Sequence, residues 1–462
     1  MPDNGLLAPA WAGTGVSALV DDRALLTALL RTETALADAQ AELGLLPGTS
    51  VAALRAVTPA DLDPIALAAG VRATGNPVVA FVRQLSAAVA ARDPQAAEHV
   101  HRGSTSQDIL DTALMVLSSV ALDRIHADLE ACAHALAPQV EKHRGTTMAG
   151  RTLTQHAVPT TFGLKAAGWL HLVLDATERV RTTRTLLPVS IGGAAGTLSA
   201  YREFSTGSDQ GAAALRLPGL VAQRLGLAEP LIPWHALRTP VADLAATMLL
   251  TTGALGKFAA DVLVLNRTEI AEVTETLAPG TGVSSAMPHK QNPVLATLVA
   301  TAARQLPPLA LVLHQSLVVE DERSAGGWHA EWQPLRECLR LTAGAAANAA
   351  ALARNLTIAP TRMRANLRRT HGAVTAERVT AILTPHLGKE TARRLLAEAS
   401  ATADRDGREL SDFLRTILDS AGLDGYDPRE LSDPAHYTGF AAELSDRVLD
   451  RYRSALGRQP PG

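Results

Sequence analysis

Ser106-Gln107-Asp108-Ile109-Leu110-Asp111-Thr112-Ala113-Leu114-Met115-Val116-Leu117-Ser118-Ser119-Val120 opens the stretch whose reading decides the fold. From Ser106 to about residue 140 there is no glycine, and the first proline is Pro138. Ile109, Leu110, Ala113, Leu114, Val116, Leu117 and Val120 cover most of a helix circumference, and a helix apolar nearly all round is buried. Thirty such residues make a rod of roughly 45 Å. Similar apolar stretches run through residues 160–185, 241–275, 292–318 and 334–356, and an amphipathic helix is expected over 21–45, after Asp21 and Asp22. Long rods of this kind predict an all-α bundle. They carry more apolar surface than one subunit can hide, which predicts an oligomer.

The rest of the composition agrees. Apolar residues make up 47% of the 462 positions and charged residues 19%, enough for a large core and against wholesale disorder. Aromatics are only 3% while Ala and Leu recur throughout, which favours helices over sheets. At about 150 residues per domain, three domains are expected. They are an N-terminal helical domain (1–100), a central helical bundle (101–357) and a smaller, more charged C-terminal helical domain (358–462). Arg362, Arg364, Arg368 and Arg369 in the last read as a solvated helix face.

A net charge of -3 and a pI near 6.5 lack the basic excess usual in a nucleic-acid binder, so no nucleic-acid partner is expected. The N-terminus, Met1-Pro2-Asp3-Asn4 with its first basic residue at Arg23, does not read as a signal peptide. The most apolar stretch, 242–265, is interrupted by Asp243, Lys257 and Asp261, so a core helix is expected rather than a membrane span. Cys132 and Cys338 sit in apolar stretches and fit no metal-ligand spacing. The expectation is a cytoplasmic protein with no metal and no cofactor. Ile191-Gly192-Gly193-Ala194-Ala195-Gly196-Thr197 is glycine-rich, but no strand precedes it, so it is not read as a dinucleotide-binding turn.

Three segments break the helical pattern. His101-Arg102-Gly103-Ser104-Thr105-Ser106-Gln107-Asp108 places hydroxyls ahead of the buried helix. Thr105 or Ser106 suits its N-cap, and the free N–H groups of a helix start can hold a carboxylate. Gly150-Arg151-Thr152-Leu153-Thr154-Gln155-His156-Ala157-Val158-Pro159 is a polar cluster before another apolar helix. Gly280-Thr281-Gly282-Val283-Ser284-Ser285-Ala286-Met287-Pro288-His289-Lys290-Gln291-Asn292-Pro293 is a glycine- and serine-rich loop with a proline-stiffened exit.

The third segment resembles the signature G-S-S-x-M-P-x-K-x-N-P of the fumarase/aspartase superfamily. The first two are similar to that superfamily's T-S-x-D and R-T-x-x-Q-x-A-x-P regions, in the same order along nearly the whole chain. Within the superfamily the chain most resembles the bacterial 3-carboxy-cis,cis-muconate cycloisomerases. Gln155-His156-Ala157, Trp328-His329-Ala330-Glu331-Trp332, Gly75-Asn76-Pro77 and the Gly192–Thr197 stretch carry that likeness. Adenylosuccinate lyases, by contrast, place a histidine where Leu153 stands. Two departures favour nitrosuccinate lyases as the alternative, ahead of another fumarate-producing lyase such as an adenylosuccinate lyase. Val283 replaces the glycine before the paired serines and stiffens the loop. Gln291 replaces a basic residue, which suits a substrate with fewer or differently placed carboxylates.

The resemblance implies a three-domain, all-α lyase whose central bundle is shared in a homotetramer, with each active site built from three subunits. It implies proton abstraction α to a carboxylate of a small di- or tricarboxylate, with a β bond broken or formed. The intermediate carries extra negative charge and needs aimed donors. Ser284 is then the general base, its oxyanion held by backbone N–H groups and Lys290. Lys290 and Asn292 hold the substrate carboxylate. Ser285, Met287, Thr105, Ser106 and Gln155 complete the binding set, and Arg323 offers a guanidinium to a further carboxylate. His156 is the first choice of acid and His101 the second. The chemistry requires no cofactor.

Overall fold

The computed structural model describes residues 5–204, 210–276, 282, 287 and 290–457. Helices hold 69% of the chain, as expected for an all-α protein. The elements that position the site are α1 (Asp22–Glu42), α2 (Ser106–Lys142), α3 (Phe162–Leu186), α4 (Thr239–Leu265), α5 (Val294–Gln315), α6 (Gly327–Arg354) and α7 (Pro360–Leu367). At 37 residues α2 is about 55 Å long. Of the expected apolar positions, Ile109, Leu110, Ala113, Leu114, Val116 and Leu117 are buried along it, whereas Val120 is 39% exposed. Between these helices lie strands β1 (Thr147–Thr152), β2 (Gln155–Thr161), β3 (Val273–Glu275) and β4 (Leu356–Ile358), paired as two small antiparallel sheets.

The chain forms two compact units. The first comprises residues 1–129, 175–256 and 298–348; the second comprises 130–174, 257–297 and 349–462. The division falls inside α2 to α6, each of which starts in one unit and ends in the other. It therefore cuts through the segment 101–357, which composition alone marks as one bundle.

In the first unit α1 packs against the helix Gln210–Leu225, and a helical pair turns at Gly75-Asn76. Gly75 ends one helix in the left-handed region (φ 77°), and the Asn76 side chain caps the next by accepting from Val78 N. In the second unit the helices Ala376–Leu387, Lys389–Asp406 and Ser411–Ser420 close over Val379, Leu383, Leu396, Leu414 and Leu418.

The segment from Gly150 to Thr161, expected only as a polar cluster, is mostly a β-hairpin in the second unit. Thr152 pairs with Gln155 across a two-residue turn, Leu153-Thr154, whose residues both have positive φ (47° and 71°). That is the primed turn geometry hairpins favour. The sequence hid it because Leu-Thr is a poor substitute for the usual Asn-Gly.

α4 and α5 are long and apolar enough to cross a membrane by length and composition alone. In α4, Asp261 accepts from Trp169 Nε1 (2.8 Å) and from Lys257 Nζ (2.6 Å).

Candidate functional site

Two groups of candidate residues emerge, one in each unit. The first is organised by Asp108 at the start of α2, a fully buried carboxylate. Its oxygens accept from Gly192 N (2.8 Å), Gly193 N (2.9 Å), Tyr201 Oη (3.1 Å) and His235 Nε2 (2.8 Å). It also accepts from Thr105 N (3.1 Å). Thr105 precedes the first residue of α2, so Asp108 supplies the reciprocal half of a capping box. Gly192 and Gly193 are required at this hub. A Cβ on Gly192 would come within 2.7 Å of Pro233, and Gly193 has φ 76°. The glycines of the rejected dinucleotide turn thus present two amides to a carboxylate.

The Thr105 hydroxyl accepts from Arg323 Nη2 (3.0 Å), which also donates to the Ala194 carbonyl (3.2 Å). Arg323 Nε donates to Gln107 Oε1 (2.9 Å). Thr105, Ser106 and Arg323 therefore meet at one helix start. The Nε–Nη2 edge of the guanidinium is engaged by protein, and Nη1 has no hydrogen-bond partner among the described residues.

Behind them Arg238 lies between two acids, donating to Asp111 (Nη1, 2.6 Å) and to Glu331 (Nε, 3.0 Å; Nη2, 2.5 Å). Trp328 Nε1 completes Asp111 (2.8 Å). Burial opposes the charge of Arg238, but the two carboxylates outweigh it and raise its pKa. Burial likewise raises Glu331, with Arg238 working against the rise. The motif from Trp328 to Trp332 is thus anchored by its own Glu331.

His101 sits in the same unit, on a left-handed residue (φ 59°). Its Nδ1 lies 2.7 Å from Oε1 of Glu33, a buried residue of α1. Burial opposes protonation, yet the Glu33 carboxylate, reinforced by Asp108, raises the imidazole pKa above its ordinary value.

The second unit holds Gln155 and His156 on β2 and the described part of the signature loop. Arg151 on β1 donates twice to the buried Glu272 (2.9 and 2.7 Å), which also accepts from Asn366 Nδ2 (2.8 Å). His156 pairs with Arg151 in the strand register. Its Nδ1 is buried with no partner among the described residues. Burial, then Arg151, lower its pKa; Glu272 pulls the other way more weakly than Arg151, and Arg369 adds a smaller lowering. A cavity of about 650 Å³ is lined by Arg151, Gln155, His156, Arg267, Asn366 and Arg369. Gln155 itself is exposed.

Ser284 and Ser285 lie outside the described residues. The neck of their loop is described: Asn292 donates to the Gly282 carbonyl through N (2.9 Å) and Nδ2 (3.2 Å). Lys290 N donates to the Met287 carbonyl (3.1 Å), and both side chains are exposed. Beyond the neck, Glu275 accepts from Leu295 N (3.0 Å) and Ala296 N (2.8 Å) at the start of α5. Burial raises the Glu275 carboxyl although those amides favour its charge.

A family model described as lyase matches residues 18–307. The nitrosuccinate lyase of Streptomyces davaonensis is 53% identical over 451 residues, covering 97% of this chain and 94% of that one. The 3-carboxy-cis,cis-muconate cycloisomerase of Pseudomonas aeruginosa is 40% identical over 463 residues, covering 100% and 99%. The chain belongs to the lyase family of the fumarase/aspartase superfamily. Among solved structures, the 3-carboxy-cis,cis-muconate lactonizing enzyme of Pseudomonas putida superposes with a TM-score of 0.90 at 37% identity, covering 98% of this chain and all of that one. This lyase is an enzyme whose family acts on small carboxylates.

The sequence reading missed Glu33, Asp111, His235, Arg238 and Glu272. Only the apolar-flanked Trp234-His235-Ala236-Leu237-Arg238 carried a signal, since two polar groups amid large apolar residues must find buried partners.

Proposed function

We propose that this lyase eliminates nitrite from nitrosuccinate to leave fumarate. The observation that carries the reading is the 53% identity to a nitrosuccinate lyase, against 40% to a cycloisomerase, over comparable lengths. This reverses the order in which the sequence motifs alone rank the two activities.

In this reading Ser284 removes a proton from the carbon next to one carboxylate. The C–H pair becomes the new double bond, and the C–N bond leaves with its electrons on nitrite. Lys290, Asn292, Ser285 and Met287 hold that carboxylate, where the aci-carboxylate charge develops. Thr105, Ser106, Gln155 and Nη1 of Arg323 orient the other planar oxygen groups. Nitrite is a weak base and departs without a proton, so the histidine opposite it, His156 or His101, serves as a donor rather than as an obligatory acid.

The active site is proposed to draw its segments from three subunits of a homotetramer in the cytoplasm. Exposed Leu249 and Leu250 on α4 and Leu311 on α5 are apolar surface suited to such an assembly. The test is nitrosuccinate incubated with wild-type protein and with Ser284→Ala. Equal amounts of nitrite and fumarate are expected from the wild type, with the rate down at least ~100-fold in the variant. No nitrite, together with loss of the diene absorbance of 3-carboxy-cis,cis-muconate, overturns this reading. It would install the cycloisomerase, which the likeness to the lactonizing enzyme of P. putida favours.

A further inference from the structure

We infer that Glu33 is a positioning residue that holds His101 cationic, so that His101 Nε2–H is the donor to the anionic oxygens of the leaving group. The inference rests on the elimination chemistry above and selects between the two histidines.

The geometry comes first. Glu33 is 1% exposed and engages Nδ1 of His101 at 2.7 Å. A carboxylate there takes the Nδ1 proton as its donor, which leaves Nε2 as the nitrogen that titrates. Nε2 has no partner among the described residues, and the His101 side chain keeps 18% of its surface exposed.

The same helix fixes the backbone. Gln40, two turns along α1 from Glu33 and also buried, donates from Nε2 to the Arg102 carbonyl (2.9 Å). His101 is left-handed. Gly103 (φ 83°) admits no side chain, because a Cβ would lie 2.6 Å from the Tyr201 ring. A non-glycine residue held in this region is constrained by its surroundings.

The charged groups around His101 are Glu33 from α1 and Asp108 from α2. Asp108 is shared with the Gly192 and Gly193 amides, Tyr201 and His235, so Glu33 is the dominant counter-charge. Arg102, next in the chain, turns its guanidinium over the Phe204 ring (4.5 Å). His156 stands in the opposite field, next to Arg151 and Arg369.

The step balances without a further reactant. The carbon-bound proton goes to the base, the C–N pair goes to nitrite, and His101 keeps its proton while its Nε2–H hydrogen-bonds the departing oxygens.

The test is the pH dependence of kcat/KM for nitrite release in wild type, Glu33→Gln and His101→Asn. Glu33→Gln keeps the shape but removes the charge. Its alkaline limb is expected to move to lower pH, with activity down about tenfold near pH 8 and less than about threefold near pH 6. His101→Asn should lose that limb. A uniform loss at every pH, with the limb unmoved, would mean a merely structural Glu33 and overturn the inference. Histidine labelled with 13C at Cε1 gives a readout that needs no substrate, with the His101 signal identified by its loss in His101→Asn. It must titrate above ordinary histidine in the wild type and fall in Glu33→Gln. An unchanged midpoint overturns the inference, whereas absence of nitrite release with a shifted midpoint overturns only the nitrosuccinate reading.

Discussion

His101 and His156 occupy similar places in the sequence, each a polar residue shortly before a long apolar helix. In the structure they stand in opposite electrostatic environments. His101 faces the buried Glu33 with Asp108 behind it, and its pKa is raised. His156 pairs with Arg151 in the hairpin register, has an Nδ1 with no partner among the described residues, and its pKa is lowered. Each lies beside a buried acid, but the acids are spent differently. Glu33 has a histidine as its ion-pair partner. Glu272 is already neutralised by the two-pronged Arg151, so His156 feels more of the arginine than of the carboxylate. A histidine's charge state follows from the net field of the fold, not from the presence of a carboxylate nearby.

The largest effects should come from removing the two buried hubs. Asp108→Ala leaves two glycine amides, the Thr105 amide, Tyr201 and His235 without their acceptor. Glu272→Ala leaves Arg151 unpaired. Each should destabilise by about 3–5 kcal/mol in denaturant unfolding, with Asp108 at the upper end because it serves more donors. Equal losses, or a larger one at Glu272, would break the view that Asp108 is the principal hub.

The next effect is a pH dependence of opposite sign. For His101 the folded pKa is raised, so its contribution to stability is full below the ordinary histidine pKa and is lost as pH rises through the folded value. For His156 the folded pKa is lowered. Its contribution is full above the ordinary value and is lost as pH falls below it. His101→Asn should therefore flatten the stability profile on the alkaline side and His156→Asn on the acid side. Urea midpoints at about pH 5.5, 7 and 8.5 read both. Flattening on the same side in both variants would erase the contrast.

The smallest effect concerns the hairpin turn. Leu153-Thr154 replaced by Asn-Gly should stabilise by about 0.4–1 kcal/mol, since both positions have positive φ. A fall in stability would mean that the exposed Leu153 tip, at 96% relative exposure, has a contact in the assembled protein.

Much of the fold was legible because periodicity survives any tertiary arrangement. The uninterrupted run from Ser106, and the stretches that became α3 to α6, are too apolar and too long for anything but buried helices. The hairpin was not legible, because Thr152-Leu153-Thr154-Gln155 carries no turn-forming residue. The site was legible in part where residues form local motifs: Thr105 is a cap candidate from sequence, though the structure alone assigns Asp108, three residues on, as its partner. It was illegible where the partner comes from far along the chain. Glu33 and Gln40 look like the solvated face of an amphipathic helix, yet both are buried against residues 101 and 102. Trp234 to Arg238 drew no notice, although His235 and Arg238 serve Asp108 and Asp111. Gly192 and Gly193 are rightly not read as a phosphate-binding turn, but nothing in the sequence shows that their amides hold a carboxylate of α2.

The sequence by itself determined the helical class, the order of the three polar segments and the chemistry their residue types allow. Those properties depend on spacing within a dozen residues, where local geometry leaves few choices. Only the tertiary structure decided which buried carboxylate meets which cation. Ion pairing and desolvation depend on distances between residues far apart in the chain, and those distances exist only once the helices have packed.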